Sequence, residues 1–160
     1  MKKTGFSLAI SIFALLLVSI ACNMSTANLG DLTTSTDKEG KTTSSSFKSG
    51  DTLYANVPVK NNPGKVKVKF YLVVDDVKGL TKGDTLKGSD VSVDISNDGT
   101  ATYNVPVAPA FPGGTYKLNA DMINEAGEKK DSKTVNVTVT QSTPPPAAKT
   151  DDDDEDKDDN

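Results

Sequence analysis

The sequence predicts an all-β chain, folded as a single antiparallel β-sandwich of about seven or eight strands. Three observations carry that expectation. Apolar residues recur at every second position in several separate runs, the period of a strand with one buried and one wet face. Turn residues punctuate the runs at short intervals, as in Asn61-Asn62-Pro63-Gly64, Asn97-Asp98-Gly99 and Pro112-Gly113-Gly114. After the first 21 residues no stretch has helical spacing.

In chain order, residues 29–36 form a weak strand, and Asp37-Lys38-Glu39-Gly40-Lys41 is a turn. Residues 42–47, rich in Ser and Thr, read as a second and mostly exposed strand. Leu53, Ala55, Val57 and Val59 alternate with Tyr54, Asn56 and Pro58. Because proline has no N–H for a ladder, this strand belongs at an edge or donates nothing at that point. Residues 65–75 hold the clearest pattern: Val66, Val68, Phe70, Leu72 and Val74 face the core, while Lys65, Lys67, Lys69, Tyr71 and Val73 face away. Such a lysine row ordinarily solvates a strand and guards it against edge-to-edge pairing.

A loop punctuated by Gly79, Gly83 and Gly88 follows, over residues 75–88. Val91, Val93 and Ile95 then alternate up to Asn97-Asp98-Gly99, and Tyr103, Val105 and Val107 resume the period, which reads as a hairpin. The last hairpin organises the rest. Tyr116, Leu118, Ala120 and Met122 form one arm, Val135, Val137 and Val139 the other, with Asn124 and Gly127 in the turn between them.

The segments FKSGDTLYANV, KVKVKFYLVVDD and FPGGTYKLNADM, with the valine-rich strand after them, resemble a recurrent immunoglobulin-like module of bacterial exported proteins. Its pattern runs Phe-x-x-Gly-Asp-x-hydrophobic-Tyr, then an aromatic strand, then Pro-x-Gly-x-Tyr. The resemblance spans residues 28–140 and implies an immunoglobulin-like sandwich with Greek-key connections. The residues that carry it are turn and core residues, so it brings no catalytic group with it. Phe70-Tyr71 stands where relatives of the pattern often have Trp, and the disulfide of antibody domains is absent, since Cys22 is the chain's single cysteine.

Composition excludes several chemistries. There is no His, so Ser-His-Asp and Cys-His machinery cannot be built and the commonest metal ligand is missing. All 18 basic residues are Lys, so no guanidinium fork is present for phosphate or carboxylate. Ser45-Ser46-Phe47-Lys48 spells Ser-x-x-Lys, but that motif works on a helix and this one lies in a strand and turn. With 6% aromatics and no Trp, a sugar-seating cleft around a carboxylate pair is not supported. No enzyme, cofactor or metal is expected.

Residues 151–159 carry eight acids and one Lys, a sum of −7, whereas residues 22–150 hold 14 acids and 15 Lys, a sum of +1. The near-neutral middle gives no steering toward nucleic acid. The acidic end is expected to be disordered, a self-repelling brush with at most weak affinity for Ca²⁺, joined through a stiff Pro-rich linker over residues 141–150.

The other end decides the expected location. Residues 1–21 have the charged, apolar, small order of a secretory signal, with an apolar run too short to cross a bilayer. Cys22 then resembles the lipidated cysteine of a bacterial lipobox, with Ala21 fitting the pattern and Ser19 departing from it. The resemblance implies membrane attachment through acyl groups on Cys22, a tether of residues 22–27, and a place in the bacterial cell envelope. Asn23 favours the outer membrane or cell surface. The alternative is ordinary signal cleavage and a secreted protein.

Two functional readings follow. One is a non-catalytic module that binds an envelope or surface protein or serves as a spacer. The other is a cation- or carbohydrate-binding module using the Asp-rich loops, with Asp75, Asp76, Asp84 and Asp98 as candidate ligands beside Asp90 and Asp94.

Overall fold

The computed structural model describes residues 27–141, and the leader, Cys22, linker and tail readings lie outside them. Every element in the described residues is a strand: β1 (Asn28–Leu29), β2 (Thr33–Ser35), β3 (Ser46–Lys48), β4 (Thr52–Lys60), β5 (Lys65–Val77), β6 (Val91–Ser96), β7 (Gly99–Pro106), β8 (Gly114–Asn124) and β9 (Lys129–Thr140). In the first sheet β4 is central, with β1 and β2 on one side and β7 on the other. The second sheet runs β3-β9-β8-β5-β6. All pairings are antiparallel except β3 on β9, which is parallel.

The alternation read from sequence sets the core. Val68, Phe70, Leu72, Leu118, Ala120 and Met122 of the second sheet are fully buried against Leu53, Ala55, Val57 and Ala101 of the first. The buried Phe70 ring stacks on Tyr103 from β7, with centroids 5.3 Å apart and planes 19° from parallel. β8 and β9 form the expected closing hairpin, in register from Gly114 opposite Val139 to Met122 opposite Asp131. Tyr116, near the start of β8, donates its hydroxyl to the Pro112 carbonyl at 2.6 Å. That back-bond is the tyrosine corner of immunoglobulin-like sandwiches, and with the two-sheet strand order it fixes the fold class.

Four local expectations are corrected. The strand over residues 29–36 is two short pieces, β1 and β2, interrupted at Gly30 and both seated on β4. In the Ser/Thr-rich segment only β3 is a strand, and its Phe47 is buried at 1% exposure. β4 lies inside its sheet, not at an edge. Pro58 is tolerated there because its missing donor falls at the gap between β1 and β2, where its carbonyl still accepts the Gly30 N–H at 2.7 Å. A Cβ on Gly30 would come within 3.2 Å of the Pro58 ring, so glycine lets the two backbones approach.

The fourth correction is topological. Asn97-Asp98-Gly99 is not a hairpin: β6 pairs with β5 and β7 with β4, so the turn carries the chain from one sheet to the other. The Asn61-Gly64 connection makes the opposite crossing beside it. The two are stapled by Asn62, which is 6% exposed and donates through Nδ2 to the carbonyls of Asn97 at 2.8 Å and Ile95 at 3.3 Å. Asn97 N–H donates to the Gly64 carbonyl at 2.9 Å. Asn61 and Asn97 have φ of 53° and 67°, left-handed conformations that Asn tolerates better than most residues.

The Tyr103 hydroxyl donates to the Ser89 carbonyl at 2.9 Å, and burial, with the Asp90 charge nearby, pushes its pKa up to about 12. The neutral phenol is therefore the form the fold prefers. Its stabilisation is complete below the ordinary tyrosine pKa near 10 and is lost as pH rises through about 12. In an alkaline titration followed by phenolate absorbance, Tyr103 is expected to ionise together with unfolding, and Tyr103→Phe to shift that unfolding to higher pH.

Candidate functional site

The aspartates proposed from sequence are not gathered into one place. β5 runs from Lys65 at one end of the sandwich to Val77 at the other, about 40 Å of extended chain, and separates them. Asp75 and Asp76 lie at the Val77 end, where Asp75 is the extra residue of a β-bulge between Val74 and Asp76. Asp75 is already paired, with Lys82 at 2.9 Å and Lys117 at 3.6 Å, and the Lys82 ammonium holds its carboxyl below the usual carboxylate range. Asp84 lies nearby, in the loop that follows β5.

That loop does more than connect. It folds back along β5 beyond the reach of β6, with Val74 N–H donating to the Asp84 carbonyl and Gly83 N–H to the Val74 carbonyl, both at 2.8 Å. Leu86 N–H donates to the Leu72 carbonyl at 2.8 Å, and Leu72 N–H to Ser89 Oγ at 3.0 Å. The backbone groups left open where β6 stops are thus satisfied by the loop. A hollow of about 350 Å³ under it is lined by Val74, Leu80, Asp84, Thr85, Leu86 and Lys87.

Asp98 is at the opposite end, in the crossing turn, where its Oδ1 accepts the Asn62 N–H at 2.8 Å. Its carboxylate serves the crossing between sheets. Asp94 lies on β6 opposite Lys67. Among the described residues no group of three or more His, Cys, Asp or Glu is placed to hold a metal ion.

The side chains that do come together lie on the outer face of the second sheet. Asp121 on β8 accepts from Ser132 Oγ at 2.6 Å and from Tyr71 hydroxyl at 3.1 Å, and pairs with Lys129 at 3.5 Å. Two residues away on the same face of β8, Asn119 accepts from Thr134 Oγ1 at 2.6 Å. Lys69 sits over the Tyr71 ring, 5.9 Å from its centroid. The result is an ordered polar face with side chains held by one another. The outward parity of Tyr71 and Asp121 was readable from sequence. Their meeting depends on the register of β5 on β8, Lys69 opposite Asp121, which local pattern does not encode.

No protein-family model matches the chain, and no curated protein matches it. Among solved structures it is similar to a CARDB domain from Pyrococcus furiosus in complex with di-metal ions, at 16% identity over 72% of this chain and 94% of that one, with a TM-score of 0.42. It is similar to a Niemann-Pick type C2 protein from Japanese carpenter ant at 19% identity over 71% of this chain and 92% of that one, with a TM-score of 0.43. A β-glucosidase from Listeria innocua is similar at 15% identity over 73% of this chain but only 16% of the enzyme, with a TM-score of 0.47. Likeness at this level concerns architecture alone, and no ligand or activity passes from these proteins to this chain. The fold class rests on the chain's own sheet order and on the Tyr116 corner.

Proposed function

We propose that the protein is a non-catalytic immunoglobulin-like module of the bacterial cell envelope, held to a membrane through acyl groups on Cys22 and acting as a protein-binding or spacing element. The observation that carries the proposal is the distance between Cys22 and the sandwich. Only residues 23–27 separate the cysteine from β1, a reach of about 17 Å when fully extended, so an anchor there holds the domain close to the lipid surface. A single acyl chain gives marginal attachment; two or more give stable anchoring.

The sandwich then has a defined orientation. Leu29 pairs with Val59 near the end of β4, whereas Thr140 pairs with Lys48, just before β4 begins. The chain enters and leaves at opposite ends of a strand of nine residues, about 30 Å apart. The crossing turns with Asn62 and Asp98 face the membrane, the loop after β5 faces away, and the polar sheet faces point sideways, where a neighbouring envelope protein can reach them.

Metabolic labelling with a fatty-acid analogue tests the anchor. The wild-type chain is expected to take up label and to fractionate with membranes, and Cys22→Ala to lose both. A wild-type chain recovered unlabelled in the soluble fraction would replace this reading with that of a secreted protein.

A further inference from the structure

The outer faces of the two sheets differ in charge. On the first sheet β4 and β7 present Tyr54, Asn56, Pro58, Thr100, Thr102 and Asn104, and Lys60 at the end of β4 is the one charge on those two strands. On the second sheet the exposed Lys65, Lys67 and Lys69 stand in a line along β5. None of the three makes an ion pair among the described residues, and only Lys69 has a partner, the Tyr71 ring. The acid opposite Lys69, Asp121, is already occupied by Ser132, Tyr71 and Lys129. Two further acids lie beside the row: Asp94, opposite Lys67, and Glu125, which lines a hollow with Lys65, Lys67 and Asp94.

The chain carries its own complement to that row. Residues 151–159 hold eight acids and one Lys. Alternate residues of an extended segment are about 6.7 Å apart and face one way, the same spacing as successive lysines of the row on β5, so an extended acidic segment laid along the row meets it charge for charge. The reach also matches. From Thr140 back to the level of Lys69, marked by Ser132 opposite Asp121, is eight residues of β9, about 26 Å, with about 10 Å more across two strands. The straight line between the two points is about 28 Å, and ten residues at about 3.1 Å each can reach about 31 Å, enough to bring residue 151 to Lys69.

Of the lysines nearer the exit, Lys48 lies opposite Thr140, is exposed and makes no ion pair among the described residues, so it is the competitor for the segment; the others lie beside acids. Lys82 and Lys117 share Asp75, and Lys78 and Lys87 lie in the segment that holds Asp75, Asp76, Asp84 and Asp90.

We propose that the acidic C-terminal segment, residues 151–159, lies along Lys65, Lys67 and Lys69 and covers the outer face of the second sheet. Each surface pair is weak, but tethering raises the effective concentration of the segment to the millimolar range. The cover is therefore partial, intramolecular and sensitive to salt.

The test uses the unlipidated chain from residue 22 onward with Cys22→Ser, so its outcome is independent of the anchor. Amide spectra are compared between this chain and one in which the eight tail acids are replaced by Asn and Gln. At low salt the differences are expected on residues 65–71 and their neighbours on β8, to disappear near 0.5 M salt, where screening is short, and to be absent in Lys65→Gln/Lys67→Gln/Lys69→Gln. These lysine side chains are exposed, so the triple variant is expected to keep the fold, which the rest of its spectrum reports. A spin label on Glu155→Cys is expected to broaden the same β5 amides independently of protein concentration. No difference on β5, differences centred on Lys48 or on Lys78 and Lys87, or broadening that grows with concentration would each overturn the proposal.

Discussion

Gly114→Ala is expected to cost about 4 kcal/mol or more, a large share of the stability of a domain this size. Two penalties act together. Gly114 has φ of 145°, a conformation open essentially to glycine, and holding another residue there costs about 1–3 kcal/mol. The added Cβ would also collide with the Asp76 carbonyl oxygen and lie 2.9 Å from Val77 Cα. Both are backbone atoms of β5 at the bulge, so no rotamer change relieves the contact, and the first turn of the β8 ladder must move. In a thermal melt the midpoint is expected to fall by about 15 °C or more. Gly113→Ala is the control. Its Cβ would meet the flexible Gln141 side chain at 3.2 Å, and a cost below about 1 kcal/mol is expected. Equal melting of both variants would show that the close approach of β8 to the bulge is not needed.

Phe70→Ala is expected to cost about 3–5 kcal/mol. Phe70 is fully buried at the middle of β5, and its ring stacks on Tyr103 of the facing sheet, so its removal opens a cavity between the layers and leaves Tyr103 without its partner. Tyr103 in turn is tied by its hydroxyl to Ser89, which also satisfies Leu72 N–H, so the cavity loosens the loop that covers the far part of β5. Chemical denaturation of Phe70→Ala, Tyr103→Ala and the double variant measures the coupling. The double variant is expected to lose less than the sum of the singles, by about 0.5–1.5 kcal/mol. Strict additivity would mean that the two rings stabilise the sandwich independently.

Both effects arise from contacts between strands distant in sequence, and that marks the limit of reading from pattern. The two-residue period placed Val66, Val68, Phe70, Leu72 and Val74 inside, and all five are buried. It placed Tyr116, Leu118, Ala120 and Met122 inside with the same result. It failed at Asn97-Asp98-Gly99, because a turn signal says that the chain reverses and not whether the reversal stays within one sheet. At Pro58 it left β4 either at an edge or without a donor at that point, and the second holds, because β1 and β2 leave a gap there with no acceptor to satisfy. The candidate aspartates shared an acidic stretch of sequence, yet the length of β5 divides them between the two ends.

The sequence by itself determined the β class, the inward and outward sides of each long strand and the closing hairpin, because side-chain alternation and turn chemistry act within a few residues. Only the tertiary structure decided which strands are neighbours, where the chain changes sheets, and that Tyr71, Asp121 and Ser132 meet on one face while Asp75 and Asp98 do not. Those outcomes depend on register between strands far apart in sequence, fifty residues for Tyr71 and Asp121 and more than ninety for Phe47 and Val139. Register is selected by burying all the apolar faces at once, a condition that no local run of residues contains.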